Sequence, residues 1–230
     1  RKSERGEVEL LRGLLKLANQ LQANLELDAV VHVVATAASE TFGFGEASVL
    51  VREADGLLRT HAAVGSEGAL DLDALSRPFD GAAVESLLTD RHHIGGCYFL
   101  AGNDPDWEKA GLTALAASGP AHKGPWQRGD TLLVPLRNSR QALSGIIRLG
   151  SPAGSAKPSL DTVSLLKIFA THAEVAIENA LEHRELQQVT EELERQLQVR
   201  HDLTEMSKTL LAKLDQASVF DEIVRVLGEL

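Results

Sequence analysis

From Val8 to Leu25 the apolar residues Leu10, Leu11, Leu14, Leu17, Leu21 and Leu25 return every three or four positions, the spacing of a single helical stripe. The spacing predicts an entering helix. A second helix follows over 27–41, where Val30, Val31, Val33 and Val34 supply an apolar face and Gly43 and Gly45 end it. The texture then changes to short apolar runs. Ala47–Arg52 and Leu57–Ala62 read as two strands around Asp55-Gly56, a dipeptide that accepts the positive φ of a tight hairpin. Thr131–Leu136 and Leu143–Leu149 predict a second hairpin around the polar turn 137–141. Pro135 has no N–H to give to a ladder, so it is expected where that position faces away from a partner strand. Between the hairpins, 65–129 is rich in glycine, proline, aspartate and histidine and keeps no period. It reads as loops and short helices, over 81–89 and 106–117, around one strand at Cys97–Leu100.

Between Ser159 and Leu227 there is neither glycine nor proline, and one long helix is the economical reading. Ser159, after Pro158, is placed to cap it, and Asp161 puts negative charge where the helix dipole favours it. Continued to Leu214 it would be about 80 Å long, at ~1.5 Å per residue. Its first half, with Leu165, Leu166, Phe169, Ala173, Ala176, Ile177 and Ala180, is apolar enough to pack on a sheet. Its second half carries a narrow stripe in which Leu186, Val189, Leu193, Leu203, Leu210 and Leu214 hold heptad a and d positions. Gln196, Arg200 and Ser207 fall in the same frame, while Leu197 and Met206 fit only a shifted one, which marks a stutter. A row of leucines in water is expected to find a cover. The expectation is a parallel homodimer through Leu10, Leu14, Leu17 and Leu21 at one end and Leu186, Val189, Leu193, Leu203 and Leu210 at the other.

The two ends also repeat. Leu14, Leu21, Ala23, Leu25 and Val30 recur 189 residues later as Leu203, Leu210, Ala212, Leu214 and Val219, with Glu26 answered by Asp215. Each copy reads as a leucine helix, a kink near the acidic residue, and the first helix of a domain. The expected organisation is therefore a signalling helix over 1–26, a sensor domain over 27–183, a coiled-coil linker over 184–214, and the first helix of a second domain over 215–230. The chain begins at Arg1 with no initiating methionine, and a piece of a longer tandem protein is expected.

Composition narrows the function classes. Apolar residues make up 43% and charged residues 24%, the balance of a chain that buries a core. A net charge of −10 with no lysine or arginine run removes the attraction to phosphate on which nucleic-acid and anionic-membrane binding rest. One cysteine, Cys97, allows no internal disulfide and no paired-cysteine zinc site, and a reducing cytoplasm is the expected setting. No run reaches the ~18 apolar residues of a membrane span.

The segments Thr131–Arg137 and Gly145–Leu149, a Val-Pro-Leu strand followed by a Gly-Ile-type strand, and the helix Phe169–Ala180, with its Ala-Ile-Glu-Asn-Ala ending, together resemble the GAF family. The resemblance covers 27–183, and the segments Cys97–Phe99 and Trp126–Asp130 look most like GAF domains of bacterial signalling proteins. It implies an α+β fold: a central antiparallel sheet, the two terminal helices on one face, a small-molecule pocket on the other, and a long coiled-coil exit helix. It implies a sensory domain relaying a conformational signal through a dimer to an output domain, such as a diguanylate cyclase or kinase. A structural dimerisation module with no ligand is the alternative.

Candidate chemistry is sparse. There is no Gly-x-Ser-x-Gly elbow, phosphate-binding loop or His-Glu-x-x-His helix, so no catalytic residue is assigned and no enzyme is expected. His61, His92, His93 and His122 lack ligand spacing and read as solvated, with no metal site; His92 and His93 would point to opposite sides if extended. Cys97 precedes Tyr98 rather than a histidine, unlike the pigment-binding cysteines of some GAF photoreceptors, and reads as a packing residue. The family's cyclic-nucleotide motif is absent, and the cofactor is left unassigned. For a pocket on the sheet, His61, Tyr98, Trp126, Asp130 and Arg148 are the candidate ligand-binding residues, each with a packing or surface role as its alternative.

Overall fold

The computed structural model describes residues 26–65, 75–117, 124–152 and 157–228. The entering helix, with Leu10, Leu14, Leu17 and Leu21, and the loop histidine His122 lie outside the described residues, as does the first copy of the repeat up to Leu25. In chain order the elements are α1 (Leu27–Glu40), β1 (Phe44–Arg52), β2 (Leu57–Gly65), β3 (Phe79–Asp80), α2 (Gly81–Leu87), β4 (His93–Ile94), β5 (Cys97–Leu100), α3 (Asp106–Lys109), a 3-10 turn (Thr113–Leu115), β6 (Thr131–Arg137), β7 (Leu143–Pro152) and α4 (Leu160–Gly228).

The seven strands form one sheet in the order β3-β2-β1-β7-β6-β5-β4, and each neighbouring pair is antiparallel. Both predicted hairpins are present. In the first, Gly56 takes φ 83°, and the Asp55 carboxylate accepts the Leu57 N–H at 3.0 Å. A bulge at Val49/Leu50 leaves His61 without an opposite residue on β1. In the second hairpin Pro135 lies beyond the end of β5, whose pairing with β6 stops at Leu133. Two residues on, the Arg137 N–H is taken by the Glu174 carboxylate at 3.0 Å, so a side chain closes the ladder where no strand continues it.

The sheet is buried on both sides, which is why its central strands read as near-continuous apolar runs. One face carries Ala47, Val49, Val51, Ala62, Cys97, Leu132, Val134, Ile147 and Leu149. Against it pack Val30, Val31, Val34, Ala35 and Ala38 of α1 and Val163, Leu166, Phe169, Ala170, Ala173, Ala176, Ile177 and Ala180 of α4. Both terminal helices therefore share one face, as the α+β expectation had it. The other face carries Leu50, Leu58, Leu100, Leu133, Leu143 and Ile146, covered by Val84 and Leu87 of α2 and by Trp107, Leu112 and Leu115.

Ser159 caps α4 as expected, accepting the Thr162 N–H at 3.1 Å. The helix is continuous to Gly228, through the position near Asp215 where the repeat predicts a kink. The described residues divide after His183 into two compact units, the second being the remainder of α4. No helix among them is long and apolar enough to cross a membrane. The middle segment differs most from expectation: the helix predicted over 106–117 is one turn at Asp106–Lys109 followed by the 3-10 turn, because Gly111, at φ 68°, takes the chain out of the helical region.

Two outcomes follow from this core. Phe169, 1% exposed and 5.6 Å from the Phe42 ring, should cost about 3–5 kcal/mol of stability when replaced by alanine, read by urea unfolding. Cys97 is buried on the helix-bearing face, and burial pushes its thiol up to about 12 against the opposing influence of Lys167. It should not react with a disulfide reagent at pH 8 until the protein is unfolded; rapid labelling of the native chain would show that this face opens.

Candidate functional site

On the sheet face opposite the terminal helices, the pairing register aligns Ser48 of β1, Arg148 of β7, Leu133 of β6 and Tyr98 of β5 in one row. Directly opposed residues project from the same face. Arg148 is fully buried, and a buried guanidinium persists only if charge and donors are both answered. Glu46, two residues before Ser48 and also fully buried, answers the charge: its Oε2 lies 3.2 Å from Arg148 Nη2. Ser151 donates to the other Glu46 oxygen at 2.7 Å. Two backbone carbonyls complete the arrangement. Arg148 Nε donates to Leu115 O at 2.7 Å, and Nη2 to Ala116 O at 2.9 Å.

Those carbonyls belong to residues 112–117, a strap that crosses the sheet face. Thr131 fixes its far end, accepting the Ala117 N–H at 2.8 Å while donating to Gly129 O at 2.9 Å. Leu115 is completely buried beneath the strap, and Trp107 is anchored nearby by its indole N–H to Ala101 O at 2.9 Å. The face where the family resemblance places a ligand is thus lined by the chain's own Leu87, Leu100, Trp107, Leu115 and Leu133.

Of the five candidate ligand-binding residues, Arg148 and Tyr98 are on this face. Tyr98 is half-buried and stands edge-on to the His93 ring at 5.4 Å. His61, at the bulge, lies beside α1 instead, with Nδ1 3.6 Å from the Asp28 carboxylate and Nε2 3.5 Å from that of Glu53. Trp126 is buried in the core under the helices, between Phe44 and Phe99 at 6.3 and 5.4 Å. Asp130 serves the backbone: one oxygen accepts the Gly102 N–H and the other the Gln127 N–H, both at 2.9 Å. The structure therefore gathers two of the five and adds Glu46, Ser48 and Thr131. The signal for the first two was present in β1, where Glu46 and Ser48 alternate with Ala47 and Val49 in an otherwise apolar strand.

His92 is not solvated, contrary to the reading of the loop histidines. It is buried, with Nε2 3.1 Å from Asp106 Oδ2 and Nδ1 3.9 Å from Asp104 Oδ2, while its neighbour His93 is exposed. These three side chains offer donor atoms within 4.8 Å of one another, a spacing suited to a metal ion. The charge is already met, however. Arg91 reaches both carboxylates at 3.1 Å, and Lys109 reaches Asp106 at 2.9 Å. The hydrogen bond from Lys109, then that with His92, holds the Asp106 carboxyl below the usual carboxylate range. The cluster acts as an ion-paired clasp between the loop before β4 and the start of α3. Along α4, Glu192, Arg195, Gln196, Val199, Arg200 and Leu203 outline a shallow depression that, among the described residues, is lined by this helix alone.

No model of a known protein family matches the chain, and no curated protein matches it. Solved structures do. The GAF domain of a putative sensor histidine kinase from Pseudomonas syringae pv. tomato superposes with a TM-score of 0.55 at 18% identity, over 83% of this chain and 97% of that one. The phycoerythrobilin-bound GAF domain from a cyanobacterial phytochrome gives 0.55 at 13% identity, over 76% and 97%. The GAF domain from an Acinetobacter phosphoenolpyruvate-protein phosphotransferase gives 0.52 at 13%, over 75% and 94%. At these identities the likeness is one of fold. With terminal helices on one face of an antiparallel sheet and an irregular middle segment across the other, this chain carries a domain of the GAF fold.

Proposed function

We propose that the chain is a sensory module of a bacterial signalling protein, in which a small molecule acts at the strap-covered sheet face and a dimeric coiled coil relays the change. An output domain such as a diguanylate cyclase or kinase would receive it, and no turnover is assigned to this chain. One observation carries the reading: α4 is a single helix whose first part is packed into the sheet core and whose later apolar residues are left exposed by the described residues. Leu186, Val189, Leu193, Leu203 and Leu210 are each 55–66% exposed. A helix of that kind stays in water as part of a bundle. The fold neighbours, drawn from a sensor kinase and a phytochrome, support a signalling role; the net charge of −10 supports a protein that binds no nucleic acid, and the lone cysteine, Cys97, supports a cytoplasmic one.

A second reading, a structural dimerisation module, is favoured by one specific observation: Leu115 and Trp107 already fill the face where a ligand would lie. The two readings agree on the dimer and differ on the strap. Replacing Leu193 and Leu203 by glutamate should halve the molar mass in sedimentation while far-UV and near-UV circular dichroism of the globular part remain. A double variant that sediments like the parent would remove the exit helix as the contact, and the relay with it.

A further inference from the structure

The strap is held differently from the rest of the molecule. Among the described residues its backbone bonds reach no strand: Leu115 N–H to Leu112 O and Ala116 N–H to Thr113 O lie within its own turn, and Leu112 N–H goes back to Trp107 O at 2.8 Å. Among the described residues it is tied to the sheet by two hydrogen bonds from Arg148 and one to Thr131, together with the buried Leu115 side chain. Beside them Ser48, directly opposite Arg148 in the ladder, is fully buried, and its Oγ has no hydrogen-bond partner among the described residues. A buried hydroxyl left unanswered is unusual and marks a position that the present occupant does not satisfy. The strap also sits against β7 at Gly150. A Cβ built there would lie 2.6 Å from the Ala117 Cβ, so the contact exists only because residue 150 has no side chain.

We propose that Arg148, Ser48 and Thr131 form a binding subsite on the sheet face, that Leu115–Ala117 is its resident occupant, and that an uncharged small molecule with paired carbonyl-type acceptors displaces it. As a sensory subsite this depends on the regulatory role proposed above and gives that role a ligand class. The charge of the ligand follows from Glu46. Its carboxylate already neutralises Arg148, so an anion would add a second negative charge in a place closed to water, whereas carbonyl oxygens add none. Two acceptors match the strap's own contacts, because Nε and Nη2 are each engaged by a separate carbonyl. An apolar group of about leucine size fills the volume that Leu115 vacates. Ser48 then gains the partner the strap does not provide.

The experiment uses the full chain and two probes: the neutral tripeptide N-acetyl-Leu-Ala-Ala-amide, which copies the strap, and acetate, which presents a bare carboxylate to Arg148. In the parent the strap competes at high effective concentration, so the tripeptide should bind weakly. Gly150→Ala, whose Cβ would meet Ala117 at 2.6 Å and also lie 3.3 Å from the Glu46 carboxylate, should bind the tripeptide at least tenfold more tightly by calorimetry. In the parent, saturation with tripeptide should speed amide exchange at 115–117, and acetate should not. Equal or absent tripeptide binding in parent and variant, with the variant folded, overturns the proposal, as does release of the strap by acetate alone. Should Gly150→Ala fail to fold, the parent titration decides, because a strap whose exchange is unmoved by the tripeptide is not its competitor. Binding with strap release but no change in dimerisation or in the exit helix supports the subsite and counts against the relay, so the two readings fail separately.

Discussion

The buried pair of Arg148 and Glu46 imposes a demand that the surrounding backbone is arranged to meet. A sheet covered on both faces has no water to offer a guanidinium, and removing one member of such a pair typically costs about 3–5 kcal/mol. Glu46 cancels the charge but cannot take every donor, and strand carbonyls are already committed to the ladder. Carbonyls from an irregular segment are what remain. The chain supplies them at Leu115 and Ala116, so the segment after α3 must cross the face above Arg148. Gly150 permits the approach, Thr131 fixes its end, and Leu115 and Trp107 fill the space beneath.

The opposite face works by shape instead of charge. Alanines at 35, 38, 170, 173, 176 and 180 let α1 and the first part of α4 lie close to the strands, with Phe169 filling the larger gap. Alternation along β7 links the two sides: Arg148 faces the strap, and its neighbours Ile147 and Leu149 face the helices. Residues that hold the strap and residues that pack on α4 are thus adjacent on one strand.

Much of the architecture was legible because its signals are local and periodic. Asp55-Gly56 announced the first hairpin, Ser159 the start of α4, and the glycine-free stretch its length. β3 and β4 were not legible, since two residues carry no period and exist only through their partners Leu57–Leu58 and Cys97–Tyr98. The site was half legible for a related reason. Arg148 and Tyr98 stood out by residue type, but nothing in the sequence says that His61 falls at a bulge beside α1 or that Trp126 belongs to the helix-side core. Glu46, Ser48 and Thr131 are ordinary residue types whose meaning comes from register. His92 was misread for the opposite reason: a loop histidine is usually wet, and the two aspartates that bury it are 12 and 14 positions away.

The central claim is that the strap is a separable occupant of the sheet face and not a fixed part of the core. Native-state hydrogen exchange of the parent protein, followed residue by residue as denaturant rises, tests it most directly. The account predicts that the Ala117 amide, bonded to Thr131, exchanges through an opening of clearly lower free energy and smaller denaturant dependence than the amides of Ile147 and Val134. Exchange of Ala117 only through global unfolding, on the same isotherm as those strand amides, would contradict it.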